Sequence, residues 1–215
     1  MPGPVAVSDV QSDPSCIAAS LSAPSGLQVT FRPLAAGDAG ILGPYFAGLS
    51  PETRRRFAPH AFDQETADRL CATIDYAGTI PMVATIPMIA TVQDGPQERV
   101  VAYFICVLGV APVERERYAR AGVELDPLTD CTVAPSVADA YQDRGLGSCL
   151  MGYLIQVARR LGRKRLVLMG GVQATNARAV HYYQKHGFRT VSTFESPAGF
   201  YNHDMVLDLG LLESI

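Results

Sequence analysis

The stretch that decides the fold is Gln142-Asp143-Arg144-Gly145-Leu146-Gly147-Ser148. A strand-like run over 131–137 precedes it, and a long apolar helical pattern over 147–161 follows it. The order strand, glycine loop and helix directs several backbone N–H groups and the positive end of the helix dipole to one point. Gly145 and Gly147 lack a Cβ, so an anion can come close to the main chain. The stretch therefore predicts an anion site, with a plain structural turn as the alternative.

Charge is distributed unevenly along the chain. The net charge is −3, yet residues 144–194 contain nine Lys and Arg and no Asp or Glu. A positive segment can bind nucleic acid or a compact ligand with several phosphates. Because the basic residues surround a glycine loop and are not interleaved with aromatic residues, a compact phosphate ligand is favoured and no nucleic-acid partner is expected. A solvated basic face without a ligand is the third interpretation.

The composition argues against several classes of protein. Five scattered cysteines without a Cys-x-x-Cys pair, and four scattered histidines, predict neither a disulfide framework nor a metal site. No apolar run reaches the ~18 residues of a membrane-spanning helix. The first 26 residues contain no Lys or Arg, so no secretory or transit signal is expected. The sequence therefore predicts a cytoplasmic protein with no membrane partner and no metal.

The element pattern predicts one α/β domain over residues 27–215. Before it comes a flexible tail over residues 1–26 that is rich in proline, serine and alanine, within which a short ordered piece near Cys16–Leu21 is the open alternative. Residues 79–90 form a near-exact six-residue tandem repeat, of which one copy is expected to be a strand. The other expected strands are 28–34, 99–108, 132–137, 165–169, 188–194 and 200–209, with a turn at 93–97. Helices are expected after Asp38, after Ser50 and over 64–76, 113–121, 147–161 and 176–186.

Two motifs in order resemble a known family. The first is Gln142-x-x-Gly145-x-Gly147, and the second is Asn176-x-x-Ala179-x-x-x-Tyr183-x-x-x-Gly187-Phe188. They resemble the coenzyme A loop and the following helix of the GNAT superfamily of acyl-CoA N-acyltransferases, and the resemblance covers about 28–209. Residues 31–34 and 49–54 are also similar to bacterial protein lysine acetyltransferases. The resemblance implies the GNAT fold, a mixed central sheet of six to seven strands that is splayed between the fourth and fifth strands and flanked by helices.

The resemblance implies acetyl-CoA as the co-substrate. Backbone N–H groups of residues 144–148 would bind its pyrophosphate, and backbone near Val137 and Asp139 would bind the pantetheine arm. Asn176 contacts pantetheine in such proteins, although it could also cap its own helix. The implied cofactor-binding residues are Val137, Asp139, Gln142, Asp143, Arg144, Gly145, Leu146, Gly147, Ser148, Asn176, Arg178 and Tyr183.

The same resemblance implies that Tyr183 protonates the leaving thiolate, because a phenol with a pKa near 10 is a suitable general acid at neutral pH. Core packing is the alternative for this tyrosine. Asp130 is the first candidate for the general base. Further candidates are Glu195, His203 and Asp204. A nucleophilic role for Cys131 is open in principle, but a buried strand cysteine is the favoured interpretation.

The expected activity is transfer of an acetyl group from acetyl-CoA to a primary amine of a small molecule or a protein lysine. The transfer would be direct, within a ternary complex, so proximity is its main catalytic contribution. A non-catalytic acyl-CoA binding or sensing module is the alternative function. The expected partner is a small-molecule or peptide amine, and a homodimer is compatible with the sequence.

Overall fold

The computed structural model describes residues 3–87 and 98–210 of the 215-residue chain. Its α-helices are α1 Val7–Ser12, α2 Ala39–Gly48, α3 Pro51–Arg56, α4 Gln64–Ala72, α5 Pro112–Arg120, α6 Leu146–Arg160 and α7 Ala177–Lys185. Its strands are β1 Ala19–Ser22, β2 Gln28–Pro33, β3 Thr79–Pro87, β4 Glu98–Val107, β5 Asp130–Val137, β6 Arg165–Leu168, β7 Val172–Gln173, β8 Arg189–Glu195 and β9 Tyr201–Asp208.

Within these described residues the strands form one mixed sheet. The order is β1-β2-β3-β4-β5-β6-β9-β7, and β8 pairs with β9. The α/β class and the mixed sheet flanked by helices are confirmed. The described sheet has nine strands, more than the predicted six to seven, because β1 and the two-residue β7 were not expected.

Strands β5 and β6 run parallel, but only over part of their length. The paired residues are Asp130–Val133 of β5 and Arg165–Leu168 of β6, and Met169 N–H then donates to the Val133 carbonyl at 3.0 Å. Strand β5 continues to Val137, whereas β6 ends at Leu168. Pairing therefore stops where the expected splay between the fourth and fifth predicted strands would begin.

The chain folds as two compact units. One consists of residues 7–105 and 135–151, and the other consists of residues up to 6, 106–134 and those from 152 onward. Strands β4 and β5 and helix α6 each run from one unit into the other. That residues 27–215 form a single domain stays a prediction.

In the unit of residues 7–105 and 135–151, aromatic side chains form much of the core. Phe31 meets Phe104, and Phe46 meets Tyr103, edge to face with ring centroids 5.5 Å apart in both pairs. Local signals set the helices around them. Ser50 Oγ accepts the Thr53 N–H at 3.2 Å at the start of α3, as its Ser-Pro start predicts.

In the other unit, helix α5 packs on buried strand residues. Tyr118 of α5 is fully buried with Val167 of β6 and Val206 of β9. Its hydroxyl donates to the Met205 carbonyl at 2.7 Å, so the phenol fills the core without leaving a buried donor unsatisfied.

Residues 3–26 differ from the predicted flexible tail. They contain α1, a 3₁₀ turn at Pro14–Ile17 and β1, which pairs antiparallel with β2. The sequence composition conceals the cause, because two apolar side chains, Val10 and Ile17, are fully buried. Asp13 adds a side-chain cap on the Ser15 N–H at 3.0 Å.

Strand β3 contains the first copy of the tandem repeat and the first three residues of the second. Residues 88–90 of the repeat and the predicted turn at 93–97 lie outside the described residues.

Candidate active site

The glycine loop leads directly into the 15-residue helix α6. Asp143 has a φ of 58° and Gly145 a φ of 77°, both in the left-handed region. The Gly145 carbonyl accepts the Cys149 N–H at 3.1 Å, which is the first turn of the helix. The N–H groups of residues 146–148 therefore lie at the positive end of the helix dipole, where an anion is stabilised. The Arg144 side chain is exposed beside them.

Gly145 is required at its position for two reasons. Its positive φ is unfavourable for residues with a Cβ. A Cβ placed there would also lie 3.0 Å from the Pro24 ring. Cys149 Sγ contacts the Ser22 carbonyl at 3.6 Å, so residues 22–24 line one side of the loop.

Gln142 braces the loop from within. Its Nε2 donates to the Val137 carbonyl at 2.9 Å and lies 3.5 Å from Thr53 Oγ1. The side chain thus ties the start of the loop to the end of β5.

Asp139 holds helix α3 with its side chain. Its carboxylate accepts the Ser50 N–H at 3.0 Å, the Ser50 hydroxyl at 2.8 Å and the Thr53 hydroxyl at 2.7 Å. Burial acts to raise the pKa of Asp139, but these hydrogen bonds outweigh it and lower the pKa below its ordinary value. Since the carboxylate is engaged in this way, a predicted cofactor contact of Asp139 would come from its main chain.

Asn176 is the N-cap of α7. Its Oδ1 accepts the Ala179 N–H at 3.2 Å, and the residue is buried. The capping role is confirmed, and the pantetheine contact stays a prediction. Arg178, two residues on, is exposed.

Tyr183 lies on the buried face of α7. Its ring packs edge to face on Tyr182 and Phe188, with centroids 5.1 and 5.4 Å away. Burial raises the pKa of Tyr183 above its ordinary value. Across the described chain no group hydrogen-bonds to its hydroxyl. The phenol thus stays protonated at neutral pH, and its role as the general acid stays a prediction.

Asp130 is the first residue of β5, seven residues before Val137. It is fully buried, accepts the Asp126 N–H at 2.8 Å and lies 3.9 Å from Arg165. Burial raises the pKa of Asp130, and the Asp126 N–H and Arg165 oppose this. Its Oδ1 accepts no hydrogen bond from the described residues, and the assignment of Asp130 as the general base stays a prediction.

The matches with known proteins agree with this arrangement. Residues 132–188, which contain both motifs, match the model of the acetyltransferase (GNAT) family. The matched segment is 57 of the chain's 215 residues and runs from β5 to the end of the second motif. No curated protein matches the sequence.

Solved structures share the GNAT fold with this chain. The GNAT domain of S. lividans PAT is 22% identical with a TM-score of 0.67, over 91% of this chain and 98% of that one. Mycobacterium smegmatis RimJ in complex with CoA-disulfide is 13% identical with a TM-score of 0.63, over 91% and 88%. Aminoglycoside acetyltransferase AAC(6′)-Ib with coenzyme A and kanamycin is 18% identical with a TM-score of 0.59, over 84% and 94%.

The other base candidates have structural partners or are exposed. Asp204 is fully buried and accepts two bonds from the Arg117 guanidinium, at 2.9 and 3.1 Å. His203 Nδ1 lies 2.9 Å from Thr193 Oγ1. Glu195 is exposed at the end of β8.

Cys131 is a buried strand cysteine, as favoured. It is fully buried beside Cys106 of β4, whose exposure is 3%. A hydrogen bond with Cys131, and then burial, raise the pKa of Cys106. Two buried thiols in this setting are poor nucleophiles.

Several of the basic residues that follow the loop have structural roles. Arg159 donates to the Leu209 carbonyl at 2.9 Å, Arg163 to the Leu128 carbonyl at 2.7 Å, and Arg165 to the Glu124 carbonyl at 2.6 Å. Several basic side chains of the segment that lacks Asp and Glu therefore donate hydrogen bonds to backbone carbonyl groups. Arg144 and Arg178 are exposed, and they stay the predicted phosphate contacts.

Glu114 is a buried carboxylate that the sequence did not single out. It lies on α5 with 5% exposure, and its Oε1 accepts the Gly170 N–H at 2.8 Å. The available signal is its spacing. Glu114 and Tyr118 are four residues apart and share the buried face of the helix.

Two further features are missing from the part of the chain that the structure describes. It holds no group of three or more His, Cys, Asp or Glu residues that could bind a metal ion. None of its helices is long and apolar enough to span a bilayer.

Proposed function

We propose that this GNAT protein transfers an acetyl group from acetyl-CoA to a primary amine of a small molecule or a protein lysine. The observation that carries the proposal is the glycine loop, with its left-handed Gly145 directly before helix α6. The loop lies in the segment that matches the family. AAC(6′)-Ib, which shares the fold, was solved with coenzyme A and the amine kanamycin.

The loop residues supply the donor site. The backbone N–H groups of residues 144–148 bind the pyrophosphate, helped by the Arg144 charge. Gln142 holds the loop in shape, and the main chain near Val137 and Asp139 binds the pantetheine arm. Exposed Arg178 and the Asn176 amide are further contacts. Acetyl-CoA, when bound, supplies an activated thioester.

The chemistry of the proposal needs three proton movements. The amine nitrogen must be neutral before it attacks the thioester carbonyl, so one proton leaves it first. Tyr183 then donates its phenolic proton to the departing sulfur, as the C–S bond breaks with its electron pair on sulfur. A second nitrogen proton then passes to the Tyr183 phenolate and restores the phenol.

A thiol-release assay tests the proposal. The purified protein is mixed with acetyl-CoA and a panel of polyamines, aminoglycosides, amino acids and lysine peptides. We expect thiol release that depends on one class of amine, with an acetylated product of matching mass. Tight acetyl-CoA binding by calorimetry without release on any amine would instead establish the alternative, a binding or sensing module.

The chain offers one hint about the acceptor. All 21 of its acidic residues lie outside residues 144–194, which is compatible with a cationic amine. The assay panel is therefore weighted toward polyamines and lysine peptides. A cytoplasmic location and a homodimer stay predictions from the sequence, and light scattering tests the latter.

A further inference from the structure

Four carboxylates are buried in the part of the chain that the structure describes, and three of them form ion pairs with arginine side chains. Asp38 pairs with Arg32 at 2.6 Å, Asp204 with Arg117 at 2.9 Å and Asp130 with Arg165 at 3.9 Å. Glu114 is the fourth, and no Lys or Arg of the described residues forms an ion pair with it. A buried carboxylate without a cation is costly. The burial of Glu114 therefore needs an explanation other than a contribution to stability.

The hydrogen bonds of Glu114 leave one oxygen weakly satisfied. Oε1 accepts the Gly170 N–H at 2.8 Å. Oε2 is 3.5 Å from Thr132 Oγ1, whereas that hydroxyl is 2.9 Å from the Gly109 carbonyl. A hydroxyl has one proton, and the shorter bond takes it. The Oε2 lone pairs therefore remain able to accept a proton.

Glu114 lies where the parallel pairing of β5 and β6 ends. Thr132 is in the last but one pair, opposite Val167, and Gly170 follows shortly after β6. In open α/β sheets, ligands bind beyond the carboxyl ends of parallel strands. Glu114 is the buried carboxylate that contacts residues at this end, whereas Asp130 lies at the start of the same pairing.

The turn that holds Glu114 is built for glycine. Gly170 and Gly171 have φ values of 65° and 70°. A Cβ on Gly171 would lie 2.7 Å from the His203 carbonyl. The close turn presents the Gly170 N–H to Glu114 and fixes where its carboxylate points.

We propose that Glu114 is the general base of the reaction. The assignment rests on the proposed acetyl transfer. Glu114 Oε2 takes one proton from the substrate ammonium, and the nitrogen lone pair that is released forms the new C–N bond. Glu114 returns that proton to water after the product leaves, so one proton is released per turnover.

The charged and titratable groups around Glu114 come from two elements. Arg117 and Tyr118 of its own helix interact with it electrostatically. Asp204 of β9 is bonded to that arginine. The acidic limb of the pH–rate profile is therefore assigned to Glu114 by comparing the wild type with Glu114→Gln, and not from the pH at the midpoint of that limb.

The test is Glu114→Gln, with Glu116→Gln as the matched control. Glutamine keeps an oxygen for the Gly170 N–H but cannot take a proton at these pH values. Glu116 is on the same helix, is exposed and is 3.7 Å from Arg120. We expect kcat to fall about 10²–10⁴-fold in Glu114→Gln at neutral pH. The fall should shrink as pH rises, because free amine then forms in solution. The Kd for acetyl-CoA should stay unchanged, and Tm should not fall, because the neutral amide removes a buried charge. Glu116→Gln should match the wild type.

The outcomes separate the base from the function. An active wild type with an equally active Glu114→Gln overturns the base alone. A wild type that binds acetyl-CoA but acetylates no amine overturns both. If Glu114→Gln does not fold, Glu114→Asp decides. A lowered kcat with the acidic limb retained supports the proposal, and an unchanged kcat contradicts it.

Discussion

The glycine loop and two buried residues, Glu114 and Tyr183, named the buried pair here, use polar groups in opposite ways. In the loop region, the side chains of Asp139 and Gln142 form hydrogen bonds with neighbouring protein groups. Glu114 and Tyr183 are buried, yet Glu114 has one strong donor and the Tyr183 hydroxyl has none in the described chain. The loop side chains hold neighbouring segments in place through hydrogen bonds, whereas Glu114 and Tyr183 keep polar atoms with few hydrogen-bond partners.

The difference teaches which substitutions should affect which property. Groups with many protein partners contribute to stability and binding geometry. Buried groups with few partners contribute little to stability, and their retention points to chemistry. Loop variants should therefore lose stability and cofactor affinity, whereas variants of the buried pair should lose turnover.

The largest expected effect is that of Tyr183→Phe. Removing the phenolic proton should lower kcat about 10²-fold or more, because the departing thiolate would have to take its proton from water. Tm and the Kd for acetyl-CoA should be unchanged, since no described group bonds to the hydroxyl. Steady-state kinetics from pH 6 to 10 measure this. Tyr182→Phe is the control. Equal activity of the two variants would contradict the role of Tyr183 as the general acid.

Asp139→Ala should reduce stability most among the loop variants. Three donors, from Ser50 and Thr53, would lose their acceptor, at a cost of about 2–3 kcal/mol in the free energy of unfolding. Urea denaturation measures the change. A loss below about 0.5 kcal/mol would show that water replaces the carboxylate readily.

Gly145→Ala sharpens the comparison through a matched glycine. Gly162, at the other end of α6, also has a positive φ of 67°, but no atom lies near its would-be Cβ. Both Gly→Ala variants should lose about 1–2 kcal/mol of stability. Gly145→Ala alone should also bind acetyl-CoA about tenfold more weakly, because its strain and the Pro24 contact displace the loop. Equal affinities in titration calorimetry would contradict a cofactor role for this loop.

The smallest effect concerns stability and pH. The folded-state pKa of Asp139 is lowered, so its contribution is present above the unfolded-state pKa and is lost as pH falls through the folded value. The pKa of Asp130 is raised, so its ionisation costs stability as pH rises above the unfolded-state value. Asp139→Asn should therefore lower stability at pH 7 but not at pH 3, and Asp130→Asn should raise it at pH 7. Denaturation at both pH values checks the two opposite signs.

Local signals predict most of the framework. The Ser50-Pro51 start of α3, the Gly145 turn before α6 and the Asn176 cap of α7 are each set by a few consecutive residues, and the sequence predicts them within one or two positions. Glu114 is different. Its neighbours Thr132 and Gly170 are 18 and 56 residues away along the chain. Only tertiary packing brings these groups together, so the spacing of Glu114 and Tyr118 indicates a buried helix face but not the contacts of the carboxylate.

The same reasoning explains why the sequence composition does not reveal the helix and strand within residues 3–26. Residues 3–26 have the composition of a linker, yet two side chains in them are fully buried. Sequence composition averages over a segment, whereas burial depends on where single apolar residues fall.

The pairing of β1 with β2 has a practical consequence for anyone who trims this protein. A chain cut at residue 27, where a linker is predicted, would leave the outer N–H and C=O groups of β2 open along Gln28–Phe31. Exposed strand edges of this kind promote association between molecules. The cut would also remove Pro24 from its place beside Gly145. Crystallisation and assay work should therefore keep these residues and place any purification tag at the other end of the chain.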